Sequence, residues 1–270
     1  VLALPVDPAE ALKQLRLIAE LRAHATTRHA GVLVLQTQDN ASLGAQALDL
    51  GADDLMSEGF DAAELALRFR ALMRTKRLQA QLRASVRTGL QAAVFDPLTG
   101  LHNRRYAIPH LKQMAANART SGRPFAVLAA DLDHFKRVND VYGHASGDAV
   151  LVEVAARLRA SIRSTDVVAR IGGEEFMVVM PSTTLNEARR AAMRVCDAIS
   201  ARPFNVPGHD KPIAVTISIG MAFADPAKPA QSPVDTDSDA GEQLLARADK
   251  ARYAAKGQGR NQATLGRPAA

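Results

Sequence analysis

The stretch Arg170-Ile171-Gly172-Gly173-Glu174-Glu175-Phe176 decides how this chain is read. Apolar runs flank it, Val167 to Ile171 before and Phe176 to Met180 after. Two glycines between such runs signal a tight hairpin turn, because glycine takes left-handed backbone angles without a Cβ clash. The segment therefore predicts two strands joined by a two-residue turn at Gly172-Gly173, with the carboxylates of Glu174 and Glu175 beside it. Taken alone, a surface hairpin with solvated glutamates is the default reading. A second stretch shifts the balance. Phe125-Ala126-Val127-Leu128-Ala129-Ala130 is apolar throughout, as a strand covered on both faces must be, and it leads into Asp131-Leu132-Asp133-His134-Phe135-Lys136. Acidic groups then stand at a strand end, where α/β sheets tend to bind ligands. Mg²⁺ takes oxygen donors, so Asp131 and Glu174 are candidates to hold metal ions that bridge nucleotide phosphates and help an attacking hydroxyl ionise. A strand-end Asp serving as a simple cap is the bland alternative.

Outward from these stretches, Ile213 to Ala222 predicts a further strand, with helical patterns between the strands, so the class is α/β. Residues Asp225 to Gly241, rich in Pro, Asp and Ser, predict a polar loop, and the tail after Gly266 has nothing to bury. Upstream, Asp61 to about Phe95 lacks proline and carries Leu78, Leu82, Val86 and Leu90 one helical turn apart among Arg and Lys, which predicts a helical linker. Its plain role is a solvated amphipathic helix; its functional role is a dimerising rod. Near the N-terminus, residues 11 to 24 read as a helix, Val32 to Leu35 as a buried strand, Leu43, Ala47 and Leu48 as a second helix stopped at Gly51, and Asp54 to Met56 as a short strand. This is half of a parallel α/β domain, read as one entered partway along its chain.

Composition bounds the partners. At 270 residues and 47% hydrophobic content the chain can bury two ordinary cores. The single cysteine, Cys196, allows no intrachain disulfide and suits a reducing compartment, and no apolar run approaches a membrane span, so a cytoplasmic protein is expected. A net charge of +6 fits nucleic acid, an anionic membrane surface or a phosphate-rich small molecule alike. With 4% aromatic residues and no Trp, stacking platforms for single strands are scarce, and no convincing recognition helix is present, so nucleic acid is not the expected partner. The phosphate-binding Gly-rich loop that ends in Lys-Ser/Thr is missing, as is the dinucleotide glycine pattern, which disfavours ordinary NTPase chemistry.

With these segments together, the chain resembles the GGDEF family of diguanylate cyclases, Gly172 to Phe176 forming its GGEEF variant. Further motifs agree in family order. Asp96-Pro97-Leu98-Thr99-Gly100-Leu101-His102-Asn103-Arg104-Arg105 resembles the entry motif, Asp131 to Asp140 the metal and nucleotide segment, Tyr142-Gly143-His144 with Gly147-Asp148 the segment after it, and Ala254 to Asn261 the closing motif. The resemblance implies a central mixed β-sheet surrounded by helices over residues 96–266, a linker over 76–95, a tail over 267–270, and condensation of two GTP into cyclic di-GMP plus two pyrophosphates across a homodimer. It implies Asp131, the Leu132 carbonyl and Glu174 as ligands of Mg²⁺ or Mn²⁺, two ions per GTP-bound site, with Glu175 supporting. It also implies that Asn139 and Asp148 hold guanine, whose N1–H and N2–H₂ suit a carboxylate, that Phe135 and Lys136 lie in the turn receiving the triphosphate, and that Lys256 and Arg260 contact phosphate.

Arg163-Ser164-Thr165-Asp166, with Arg194, matches the family's inhibitory product site; a surface ion pair is its bland reading. Residues 1–75 resemble the second half of a flavodoxin-like receiver, as in PleD-type response regulators. Thr37 follows a strand suitably, but Glu58-Gly59 stands where Lys-Pro is usual, and the phosphoacceptor Asp would lie at or before Val1. A degenerate adaptor that aids dimerisation is expected, with an upstream histidine kinase acting through a receiver missing from this sequence. Glu10-Ala11-Leu12 resembles part of a phosphodiesterase signature but lacks that domain's other carboxylates. The alternative to the enzyme is a catalytically inactive GGDEF receptor that binds GTP or cyclic di-GMP as a signal.

Overall fold

The computed structural model describes residues 2–6, 11–36, 41–57, 59–225 and 240–266. They form two compact units that divide between Gly89 and Leu90.

In the first unit, β1 (Leu2–Val6), α1 (Ala11–Ala23), β2 (Val32–Gln36), α2 (Ala41–Asp49) and β3 (Asp54–Ser57) alternate, and the strands pair in parallel in the order β1-β2-β3. β1 is a strand that the sequence reading did not predict. Alternation along β2 explains the covering of both faces: Val32 and Val34 pack with Leu15, Ile18 and Ala47, while Leu33 packs with Met56 and Leu72. Leu72 lies on α3 (Ala62–Val94), one unbroken helix. The domain boundary expected at residue 75 therefore falls inside a helix. Nothing there ends it, since the segment has no proline and Gly89 costs only about 1 kcal/mol. Thr37, Glu58 and the phosphodiesterase-like Glu10 lie outside the described residues, as do most of the polar segment after Asp225 and the tail after Gly266.

The second unit continues with β4 (His102–Asn103), α4 (Arg104–Ser121), β5 (Phe125–Leu132), α5 (Phe135–Tyr142), α6 (His144–Ser161), β6 (Val167–Arg170), β7 (Glu175–Pro181), α7 (Leu185–Ser200), β8 (Ile217–Ala224), α8 (Ala240–Gly257) and β9 (Ala263–Leu265). Its sheet runs β4-β6-β7-β5-β8-β9, antiparallel at β6·β7, β5·β7 and β5·β8 and parallel at its two outer pairs, which is the expected mixed sheet. β5 is central and buried at every position. Ala126, Leu128, Ala130 and Leu132 face a core shared with α5, α6 and α7, whereas Phe125, Val127 and Ala129 face one shared with α4 and α8. The result is three layers, helices on each side of one sheet. Ends are specified locally: the Asn103 side chain accepts from the Tyr106 amide at the start of α4, and Thr184 with Glu187 forms a capping box at the start of α7. Ile213, expected inside the last long strand, instead makes an isolated bridge to Phe204, and β8 starts at Ile217.

Close approach of α8 to the sheet depends on one glycine. A Cβ on Gly220 of β8 would stand 1.9 Å from the Ala248 carbonyl oxygen and 2.2 Å from the Arg252 nitrogen. Only a residue without a side chain lets α8 lie this near, and α8 carries the cations of the site.

Candidate active site

The carboxylates come together at one end of the central ladder. Asp131 on β5 and Glu175 on β7 are register partners, so the sheet itself sets their spacing. Glu174 belongs to the loop between β6 and β7, and its carbonyl accepts the Leu132 amide at 3.3 Å, tying that loop to the end of β5. The expected two-residue Gly-Gly turn is not what forms. The loop runs from Ile171 to Glu174, and neither Gly172 nor Gly173 is among the residues with positive φ. The longer loop is held by Arg170, whose Nε and Nη2 donate to the Gly173 carbonyl at 3.1 and 2.7 Å, while its Nη1 pairs with Asp96 at 3.1 Å. A Cβ at Gly172 would sit 2.3 Å from Glu175 Oε2, so a side chain there would turn the Glu175 carboxylate aside.

Asp131 is 9% exposed at its side chain and both oxygens are engaged, Oδ1 by Lys256 Nζ at 2.5 Å and Oδ2 by Arg252 Nη1 at 2.8 Å. The same Nη1 reaches Glu175 Oε1 at 2.7 Å. Burial pushes the Asp131 carboxyl above the ordinary range, against the pull of Lys256 and Arg252. Glu174 is pushed up by burial and then by the negative charge of Asp131. Two carboxylates made uncomfortable in this way, with hard oxygen donors, fit a divalent cation. Among the described residues no cluster of three or more His, Cys, Asp or Glu side chains is arranged for a metal. Asp131 and Glu174 offer hard oxygens of the kind Mg²⁺ takes together with phosphate oxygens and water.

Other expected residues fall around this centre. Asn139, half-buried on α5, points its Oδ1 at Gly147, where an added Cβ would lie 1.9 Å away, and Asp148 is exposed on the following residue of α6. Phe135 does not lie in a turn: it begins α5, and its ring is buried in the core, so its backbone alone can face a ligand. Lys136 is exposed on the same first turn of α5, which no side chain caps. Arg260 is exposed just past α8 with a left-handed φ of 61°.

Sequence reasoning missed two parts. Asp133 is buried and accepts from Thr216 Oγ1, Ser218 Oγ and the Asn261 amide at 2.7, 2.7 and 3.1 Å, joining β5 to β8 and to the segment after α8. Arg252 was not singled out, although it stands one helical turn before Lys256 and so shares its face, the one available signal.

Away from this centre, Arg163, Asp166 and Arg194 also gather. Asp166 Oδ2 accepts the Arg163 amide at 3.1 Å, and its Oδ1 is buried without a partner among the described residues. Burial pushes Asp166 up while Arg163 and Arg194 pull it down. Arg163 pairs with Glu187 at 2.8 Å and Arg194 Nε donates to the Ser161 carbonyl at 2.6 Å.

Comparisons to known proteins give the family. The family model "Diguanylate cyclase, GGDEF domain" matches residues 93–262, and the chain belongs to that family. The chain is 40% identical over 255 residues to the response regulator PleD of Caulobacter vibrioides, covering 94% of this chain and 54% of that protein. It is 40% identical over 171 residues to the diguanylate cyclase DgcP of Pseudomonas aeruginosa, covering 63% and 24% respectively. Among solved structures, the coiled coil and GGDEF domain of DgcB from Caulobacter crescentus, in complex with c-di-GMP, superposes with a TM-score of 0.62 at 28% identity, over 74% of this chain and 99% of that one. The chain thus spans about half the length, 54%, of the PleD relative. Among the described residues no helix is long and apolar enough to cross a membrane.

Proposed function

We propose that the chain is a diguanylate cyclase that joins two GTP into cyclic di-GMP with release of two pyrophosphates, working as a homodimer in the cytoplasm. The observation that carries this is the pairing of Asp131 with Glu175 at the ladder end, with Glu174 beside them and Lys256 and Arg252 in contact. Anionic groups suited to metal and cationic groups suited to phosphate then share one site. Asp131, the Leu132 carbonyl and Glu174 would hold Mg²⁺ or Mn²⁺, two ions when GTP is bound, supplying positive charge to the phosphates and to the ionising 3′-hydroxyl. Asn139 and Asp148 orient guanine, selecting GTP over ATP. Lys256, Lys136 and Arg260 steady the triphosphate. No covalent nucleophile is needed, and positioning with electrostatic stabilisation supplies the catalysis.

Each protomer presents one nucleotide, so two must face each other. Leu78, Leu82, Val86 and Leu90 on α3 support pairing of two copies, since all four are 54 to 65% exposed in a row one turn apart. The unsatisfied Asp166 Oδ1 between Arg163 and Arg194 supports product inhibition, because guanine N–H groups would satisfy it while arginines take phosphate. The alternating α/β unit before α3 is read as part of a receiver-like domain, with a histidine kinase as an upstream partner.

The test is chromatography of products after concentrated protein meets GTP and Mg²⁺, with a Glu174→Ala control and a dilution series. Cyclic di-GMP from the unmodified protein alone, at a rate per protomer that falls on dilution, supports the proposal. No product under dimerising conditions, once bound inhibitor is removed, sinks it in favour of a nonenzymatic receptor. Arg163→Ala should relieve product inhibition and retain activity.

A further inference from the structure

Arg252 sits where a second cation would have to go. Its Nη1 carries two N–H bonds, and these are spent on Asp131 Oδ2 at 2.8 Å and Glu175 Oε1 at 2.7 Å; its Nη2 lies 3.3 Å from Asp249 Oδ1. Lys256 takes the other oxygen of Asp131. Asp131 therefore has no oxygen free of a positive partner. A divalent ion ligated by Asp131 stands about 2.1 Å from one of those oxygens and repels the guanidinium beside it. We propose that Arg252 is the resident counter-ion of this carboxylate pair, and that a metal ion binds by displacing its guanidinium from Asp131.

The displacement is local. Backbone at Arg252 is fixed against the sheet by the close packing at Gly220, so only the side chain swings. Having left Asp131, it keeps Glu175 and Asp249, the latter on its own helix three residues earlier. Lys256 has the shorter reach and a single ammonium, whereas the planar fork of arginine spans two carboxylates at once. Arg252 thus holds Asp131 and Glu175 in place before substrate arrives and raises the metal concentration needed to fill the site. The inference rests on Asp131 being a metal ligand.

The experiment is a titration of the full chain with Mn²⁺ alone, without nucleotide, following the free-ion signal by electron paramagnetic resonance. Arg252→Met should bind Mn²⁺ about ten-fold more tightly than the unmodified protein, since a competing charge-assisted contact is gone. Without metal its thermal midpoint should fall, and added Mn²⁺ should restore more of it. A merely structural arginine predicts the reverse, weaker binding after its removal. Unchanged or weaker Mn²⁺ affinity in Arg252→Met overturns the proposal. If that variant fails to fold, Arg252→Lys answers the same question: one ammonium cannot span both carboxylates, so affinity should rise about three-fold, and no rise overturns the proposal. Asp131→Asn separates the two ideas. Loss of Mn²⁺ binding there, with no gain in the Arg252 variants, rejects the displacement alone; undiminished binding rejects Asp131 as a ligand and the displacement with it.

Discussion

Replacing Asp133 by alanine should destabilise the second unit more than any change at the exposed cations of the site. Its carboxylate is buried, has no cation partner in contact among the described residues, and accepts three hydrogen bonds, from Thr216, Ser218 and the Asn261 amide. Hydrogen bonds to a charged group contribute about 1.5–3 kcal/mol each, and the cost of burying the charge offsets part of their sum. Ser218 is fully buried, so its hydroxyl finds no water when the acceptor is gone. A net loss of about 3 kcal/mol follows, or a fall in thermal midpoint of about 6–12 °C for a unit of this size. Asparagine should cost about 1–2 kcal/mol, because its carbonyl oxygen can serve Thr216 and Asn261 while its amide donates to the rotated Ser218 hydroxyl. Urea denaturation followed by circular dichroism, with the transitions of the two units fitted separately, reads both values. A loss under about 1 kcal/mol for alanine, or asparagine as damaging as alanine, refutes the view that this carboxylate holds β5, β8 and the segment after α8 together.

Other expectations concern the site and its frame. Gly147→Ala puts a Cβ 1.9 Å from Asn139 Oδ1, so Asn139 must turn away, and the KM for GTP should rise about ten-fold with little change in melting; an unchanged KM removes Asn139 from guanine binding. Burial, with Asp197 and Asp133 adding, pushes the Cys196 thiol up to about 12, so the folded protein should resist a thiol reagent at about pH 8 and react once unfolded. Rapid reaction of the native protein would contradict this. Burial alone would raise Asp96, but hydrogen bonds from Thr99 and Arg170 outweigh it and hold the carboxyl below its ordinary range. The stabilisation is then complete above the ordinary carboxylate value, about pH 4, and is lost as pH falls through the lower folded value. Asp96→Asn should cost about 2 kcal/mol at neutral pH and flatten the acid limb of the stability profile, and an unaltered limb counts against the Asp96–Arg170 link.

Burial decided which elements were legible in sequence. β5 was legible because covering both faces forces the apolar run Phe125 to Ala130, and the strand then continues through Asp131 and Leu132. β1 escaped because Leu2 to Val6 carries Pro5, which argues against a strand, and β4 and β9 are too short to show alternation. The hairpin was legible as a hairpin, but its length was not: Arg170 closes the loop through the Gly173 carbonyl, a contact that no turn dipeptide encodes. Acidic residues of the site were readable from strand ends and motif. Their partners were not, since Thr216, Ser218 and Arg252 lie far along the chain and meet Asp131 and Asp133 only through sheet order and the packing of α8.

The register of β5 against β7 makes the carboxylates of the site mechanically unequal. Asp131 and Glu175 are register partners inside paired strands, so moving either backbone disturbs the ladder at its most buried strand. Glu174, one residue earlier, rides on a loop held at its ends and at one carbonyl. Two groups act as a fixed jaw and the third as a more adjustable one, which under the proposed cyclase function would follow a ligand whose shape changes between triphosphate and leaving pyrophosphate.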